Sequence, residues 1–428
     1  MASDVALPLV VPADTGQRFS CHSCTRCCRD LVVSLTDDDR RRIDSQGWAA
    51  KLESDAYVRL GADWVLNKRG DGACVFLMDD GRCRIHAEHG LEAKPLACRL
   101  YPFTFVPGPK GRLVTWRFDC PTVARSQGQP AASHLNDLRR WARQLRQARD
   151  SDSGRVKLTD SVEIEEGQVA RVIGHFDGWL SDARHSLQIR LLAAVLASDA
   201  LVEAASLVQP DLDLSKLLDE FIKFLPGELE GVDVAAPSPR QRGMLRQLVF
   251  AHAEHLTLDQ MLAGRWARLR RRGSQLRAAR RLRVGRGVVP RLAGVAADPS
   301  FEAVEAVGAA EDERPMITEL IVRYLRTRLL SRTCFGAAYY HWPLVDGLAA
   351  LWLSVAAIGW TARYLAAGAG RTRLVGDDVV TAVGVIDRSA GRAPSLGSRV
   401  ERLRLRYLRM DQGVGQLLCA YSLVDESD

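Results

Sequence analysis

The stretch Phe19-Ser20-Cys21-His22-Ser23-Cys24-Thr25-Arg26-Cys27-Cys28-Arg29 carries its cysteines in a C-x2-C-x2-C-C run. Cysteines separated by two residues turn their sulfurs toward one centre, as in ferredoxin-type iron–sulfur loops. Cys27 and Cys28 are adjacent, and neighbouring side chains diverge. One of the pair therefore points to a second centre or depends on a kinked backbone. A second group follows, with Cys74, Cys83 and Cys98 embedded in CVFLMDDGRCRIHAEHGLEAKPLACRLYPF and Cys120 in Phe118-Asp119-Cys120-Pro121. Four thiolates plus four are enough for two tetrahedral sulfur sites, for one four-iron cluster with one zinc, or for a single site with spare cysteines. His22, His86 and His89 lie near the run, and surface or hydrogen-bonding roles are expected for them. Lys94 and Arg99 flank the second group; positive charge beside thiolates lowers their pKa and offsets the charge of a metal–thiolate centre. An ordinary surface position is the competing reading for Arg99.

Of the ten cysteines in 428 residues, only Cys334 and Cys419 fall beyond Cys120, and these two read as small core hydrophobes. The opening MASDVALPLVVPADTGQ has Asp4, no basic start, and Pro8 and Pro12 inside a short apolar run. It does not read as a secretory signal, so a reducing cytoplasm is the expected compartment, where clustered cysteines hold metal rather than form disulfides. With 47% hydrophobic and 26% charged residues the chain can bury a sizeable core, which excludes a disordered or collagen-like chain. The apolar stretch from Gly347 to Ala362 is shorter than the roughly 20 residues a membrane span needs. It reads as a buried core helix, and no membrane is expected.

Working outward, residues 1–16 read as a tail and 17–122 as an irregular cysteine-rich metal-binding domain, with a strand at Leu113–Phe118. Residues 123–428 read as a mostly helical domain, so the fold class is mainly α. Helical spacing covers 134–149, strands are expected at 156–158 and 162–164, and helices at 185–207, 214–225, 240–262, 316–331, 343–366, 377–387 and 398–410. Pro226-Gly227 is the expected stop of the 214–225 helix. The pairs Asp79-Asp80 and Asp377-Asp378 read as solvated turns or helix starts and not as acid/base pairs. Between Arg265 and Arg291 there are eleven arginines and no acidic residue; setting that +11 aside turns the net +7 of the chain into −4. The segment at 265–291 offers a docking face for nucleic acid, an acidic protein or an anionic cofactor, or it is a solvated helix, the plainer expectation. Trp266 is its one aromatic residue, so the stacking series of a single-strand binder is missing and no clear nucleic-acid signal remains.

The run CHSCTRCC, the stretch CVFLMDDGRCRIH and KPLACRLYPF together resemble the YkgJ-type cysteine cluster proteins, the CxxCxxCC zinc- or iron-chelating family, over roughly residues 19–121. The chain is also similar to flagellin lysine N-methylases, which carry a related cysteine domain and a helical remainder; Ile317 to Leu329 and the apolar helix after it resemble their C-terminal part. That resemblance implies methyl transfer to a lysine of a protein substrate, with S-adenosylmethionine and an iron–sulfur cluster, most simply 4Fe-4S. It implies ligand roles for Cys21, Cys24, Cys27 and Cys28, with Cys74, Cys83 and Cys98 as the matching downstream cysteines. No acidic-Gly-x-Gly-x-Gly loop follows a strand, so a Rossmann-type donor site has no support in the residues, and no nucleophile elbow is present. Two functions are left in competition: an iron–sulfur protein of the methylase-like branch, and a non-catalytic protein in which zinc staples an irregular domain and the helical part binds a partner. Iron is the preferred metal, because every conspicuous ligand is a cysteine and because of the family. The oligomeric state is left open.

Overall fold

The computed structural model describes residues 8–11, 15–145, 154–206, 214–292 and 298–425. It is mainly α, with 56% helix against 12% strand. The strands are short and gather around the cysteines, where the sequence has glycines and turn residues in place of helical periodicity. One antiparallel sheet has the order Ser34–Leu35, Asp63–Leu66, Tyr57–Leu60, with Val65 opposite both Ser34 and Val58. A hairpin joins Phe103–Gly108 to Gly111–Trp116, which contains most of the expected strand. Leu9–Val10 lies parallel to the second strand of that hairpin, opposite Arg112 and Leu113.

Two hydrophobic cores form. The small one gathers Ile43, Trp48, Leu66, Phe76 and Ile85, with Cys28, Cys83 and Cys98 packed on its edge. The large one begins at Leu96 and runs through Trp116, Phe118 and Val123 into every long helix up to Val424. Its axis is the helix Leu344–Gly368, which packs against Leu187–Ser206, Pro239–Ala253, Gly376–Ser389 and Gly413–Ala420. This is the expected core helix. By length and composition it could cross a membrane, but 94% of its apolar window is buried inside the fold. Glycine in a helix interior costs about 1 kcal/mol relative to alanine. Gly347 and Gly359 are kept by close approach: a Cβ would sit 2.2 Å from the Cys334 carbonyl oxygen and 2.0 Å from that of Tyr421.

Three helix expectations change. The 214–225 helix continues to Leu229 with Pro226 inside it; proline removes one backbone bond near the end, and burial of Pro226 with the packing of half-buried Leu229 on the core compensates. The 240–262 helix is two helices, Pro239–Ala253 and Leu258–Leu262, because Thr257 starts a capping box with Gln260. The 134–149 helix spans Leu135–Ala142, and its end from residue 146 lies outside the described residues. Asp378 caps the helix Gly376–Ser389 through the Val375 N–H, as read, and Asp79-Asp80 forms a turn.

His252 is buried on the seam between Pro239–Ala253 and Gly376–Ser389. Its Nδ1 lies 2.7 Å from Ser389 Oγ and 3.1 Å from the Ile386 carbonyl oxygen. Burial holds its pKa near 4, below the ordinary 6.5. Between those values the unfolded chain binds a proton that the folded chain refuses. The stabilisation is therefore complete above pH 6.5 and is lost as pH falls toward 4, on the order of 3 kcal/mol in all. In denaturant titrations across that window, His252→Gln should flatten the acid slope; an unchanged slope refutes the assignment. Gly359→Ala should lower stability by about 1–3 kcal/mol through overpacking, and a raised thermal midpoint would contradict the close approach.

Candidate metal centre

The strand Arg18–Phe19, paired with Gln129–Pro130, delivers the chain into the cysteine loop. Ser23 and Thr25 both take left-handed backbone conformations, φ 54 and 65, so the loop folds back before the short helix Arg26–Asp30. That helix carries Cys27 and Cys28, whose Sγ atoms are 4.0 Å apart. The second cysteine group is docked on this loop by main-chain atoms. Cys74 N–H donates to the Cys28 carbonyl at 2.9 Å. The turn between Leu77 and Cys83 brings Gly81 against the loop, where a Cβ would lie 3.1 Å from the Ser23 carbonyl oxygen. Cys98 rides on the helix Leu96–Leu100, whose Leu96 N–H donates to Asp39 Oδ1 at 3.0 Å.

The result is one cavity of about 360 Å³ lined by Cys27, Cys28, Cys74, Cys83, Cys98 and Lys94, and also by Tyr101, Arg117 and Arg392. The expected divergence of Cys27 and Cys28 does not put them in separate places: both line this cavity, which is wide enough to meet two neighbours on one helical turn. Cys21 and Cys24 stand outside it on the exposed loop, Cys24 on the wall of an adjoining cavity. Cys120 is buried in the large core at the start of Pro121–Ala124. Cys334 is buried in the helical core, as read for a small hydrophobe, and Cys419 is half-buried. His22, His86 and His89 are exposed, and His89 packs edge-on against Trp48.

Burial pushes the Cys74 and Cys120 thiols up to about 11 and raises Cys98 further. Cys27 is raised first by its hydrogen bond with Cys28 and then by burial. Burial works against the Lys94 ammonium, but the sulfurs of Cys98, Cys83, Cys21 and Cys27 outweigh it once they are ionised. Lys68 is lowered by burial, partly offset by Cys74 and Cys28. Its Nζ donates to the Cys28 and Arg29 carbonyls at 2.7 and 3.2 Å. Arg99, in contrast, is neither exposed nor turned to the sulfurs. It is buried, bound to Glu92 and Gln144 at 2.9 Å each, with its guanidinium 5.9 Å from the Trp141 ring.

Sequence reasoning missed Lys68 and Asp39. Asp39 was open to detection, because Thr36-Asp37-Asp38-Asp39 is a capping box and its buried carboxylate then reaches Leu96. Lys68 gave no signal: it is far along the chain from the carbonyls it holds. The donor set is that of a thiolate metal site, soft sulfur with buried cations beside it. Yet among the described residues no group of three His, Cys, Asp or Glu side chains is closed into a metal site.

Residues 20–123 match the CxxCxxCC family described as "Putative zinc- or iron-chelating domain". The chain is 33% identical over 92 residues to an uncharacterized protein, MJ0939, of Methanocaldococcus jannaschii, a stretch covering 21% of this chain and 30% of that relative's length. No solved structure matches. The family match supports a cysteine-cluster metal-binding protein, with zinc or iron as the metal. Residues outside the ligand shell set metal affinity by roughly 10–100-fold. Lys94→Gln should therefore weaken metal retention about tenfold in a chelator competition, whereas Lys110→Gln, on the exposed hairpin turn, should leave it unchanged. Equal retention in the two variants would remove Lys94 from the centre.

Proposed function

We propose that this is an iron–sulfur protein whose cluster takes its thiolate ligands from the cavity lined by Cys27, Cys28, Cys74, Cys83 and Cys98. The observation that carries the reading is the convergence of five thiols on one cavity with the half-buried Lys94 among them. The all-cysteine lining, with no histidine among it, favours iron over zinc. When bound, such a centre supplies electron transfer or an open iron. This chain's residues supply the sulfurs, the cations that offset them, and a cavity walled by Leu100, Phe103 and Ile85 that limits water. Methyl transfer to a protein lysine from S-adenosylmethionine rests on the resemblance alone and is left out of the proposal.

Protein purified without oxygen should be brown, with broad absorbance near about 400 nm, and should contain iron with acid-labile sulfide. Cys74→Ser and Cys98→Ser should each lose that absorbance while keeping the far-ultraviolet dichroism of the long helices; Cys419→Ser should retain both. Colourless protein holding stoichiometric zinc, with chelation unfolding the cysteine module, would instead establish the structural-zinc alternative.

A further inference from the structure

The arginine segment is a single helix, Arg265–Val284, and its two sides differ. The inner side is fastened to the fold. Leu282 is buried, its carbonyl accepts from Arg246 Nε at 2.9 Å, and the Ala279 carbonyl accepts from Gln247 Nε2 at 2.9 Å. Arg271 pairs with Glu254 at 3.1 Å. Gly243 of the neighbouring helix lies so close that a Cβ would meet the Arg283 carbonyl oxygen at 2.6 Å. The outer side carries large apolar residues in water: Trp266 is 78% exposed, and Leu269, Leu276 and Val284 are exposed too.

At about 100° per residue these four fall within an arc of about 80°, on a stripe about 27 Å long that also carries Gly273 and, between Leu276 and Val284, the exposed Arg280, whose aliphatic stem can lie along the stripe while its guanidinium reaches the headgroups. Arg265, Arg272 and Arg283 lie along one flank of the stripe, Arg270, Arg277 and Arg281 along the other, and all six are exposed. No acidic residue occurs anywhere between Arg265 and Arg291. The geometry points to an anionic lipid surface as the partner: we infer that this helix lies flat on it, with Trp266, Leu269 and Leu276 among the acyl chains and the flanking arginines on the headgroups. A nucleic acid fits less well, because the apolar stripe occupies the middle of the face and would be pressed against phosphates, and one aromatic residue supplies no stacking series. A rigid acidic protein needs an apolar groove of matching length with acidic rims on both sides; a bilayer interface forms around the helix, and tryptophan settles there readily. This is peripheral binding and involves no span.

The full-length protein should sediment with vesicles of phosphatidylcholine containing phosphatidylglycerol and stay in solution with phosphatidylcholine alone, and added salt should release it. Trp266→Ser with Leu269→Ser, and separately Arg270→Glu with Arg277→Glu, should each weaken binding about tenfold or more without changing the far-ultraviolet dichroism, since all four side chains are exposed. Absence of sedimentation with the anionic vesicles overturns the inference. So does vesicle binding indifferent to Trp266→Ser with Leu269→Ser, which would reduce it to unspecific charge attraction. Tighter binding to duplex DNA than to vesicles, insensitive to the same variant, would hand the surface to nucleic acid.

Discussion

The carbonyl oxygen of Cys28 receives the Cys74 N–H and the Lys68 ammonium together, at 2.9 and 2.7 Å. Those two bonds join cysteine groups that are far apart in the chain, and they do so through main chain, so the register of one group against the other does not depend on any metal. The lysine also caps the short helix Arg26–Asp30, whose last carbonyls have no helical partner. A five-residue helix has little stability of its own; it persists because its carbonyl end is held by the half-buried Lys68 ammonium and its Cys28 thiol packs on the small core. The positions of Cys27 and Cys28, and through them of Cys74, all follow from that arrangement.

The cysteine module is built into the helical body, with polar as well as apolar contacts between them. Asp387 accepts the Phe118 N–H at 2.8 Å and pairs with Arg328, and Arg388 pairs with Asp30 at 2.6 Å. Burial lowers the Arg328 pKa to about 10, and its guanidinium sits 5.5 Å from the Tyr324 ring centroid. A buried pair of this kind adds little net stability, because both ions are desolvated, but removing one partner leaves an uncompensated charge at a cost of about 3–5 kcal/mol. Its effect is to fix registration. The helix Gly376–Ser389 is locked against the turn that carries Arg117, Asp119 and Cys120, and Arg117 of this turn lines the cavity. Partial displacement of the module would break these pairs along with the apolar contacts of Phe118 and Val123.

How much of this the sequence disclosed depended on the range of the interaction that decides each feature. Most of the long helices are legible because their periodicity is local and their burial is continuous, as in Leu344–Gly368, whereas Glu166–Ser181 is not among the expected helices. Pro226 misleads because a local penalty is outweighed by a distant contact of Leu229. The break after Ala253 is written in Thr257 and Gln260 and is simply weaker than the apolar pattern around it. In the cysteine module the residue types were readable but their arrangement was not. C-x2-C-x2-C-C states that thiols are near one another, whereas left-handed turns at Ser23 and Thr25 decide that Cys21 and Cys24 stay outside while Cys27 and Cys28 face inward. Arg99 shows the same limit: adjacency to Cys98 suggested an electrostatic partner of sulfur, and the exposed Glu92 and Gln144 took the buried guanidinium instead, beside Trp141.

Charge separation links the two ends of the chain's chemistry. Neutral thiols behave as small hydrophobes, and Cys28, Cys83 and Cys98 pack in that role on the small core, so the module has a folded form that needs no ion to neutralise it. Thiolates in the same cavity are a different matter, since burying unpaired anions is costly and only cations at hand can offset it. Lys94 and Lys68 stand against the sulfurs, with Arg117 and Arg392 also lining the cavity, and these are the charges that make an anionic sulfur-ligated centre tolerable in the interior. None of the eleven arginines between 265 and 291 takes part in this. Nine of them are carried on the helix Arg265–Val284, whose outer face turns Trp266 and Leu269 to solvent. The basicity of the chain therefore sits in two separate places: a few cations that line the cavity beside the sulfurs, and one exposed row on the helix Arg265–Val284.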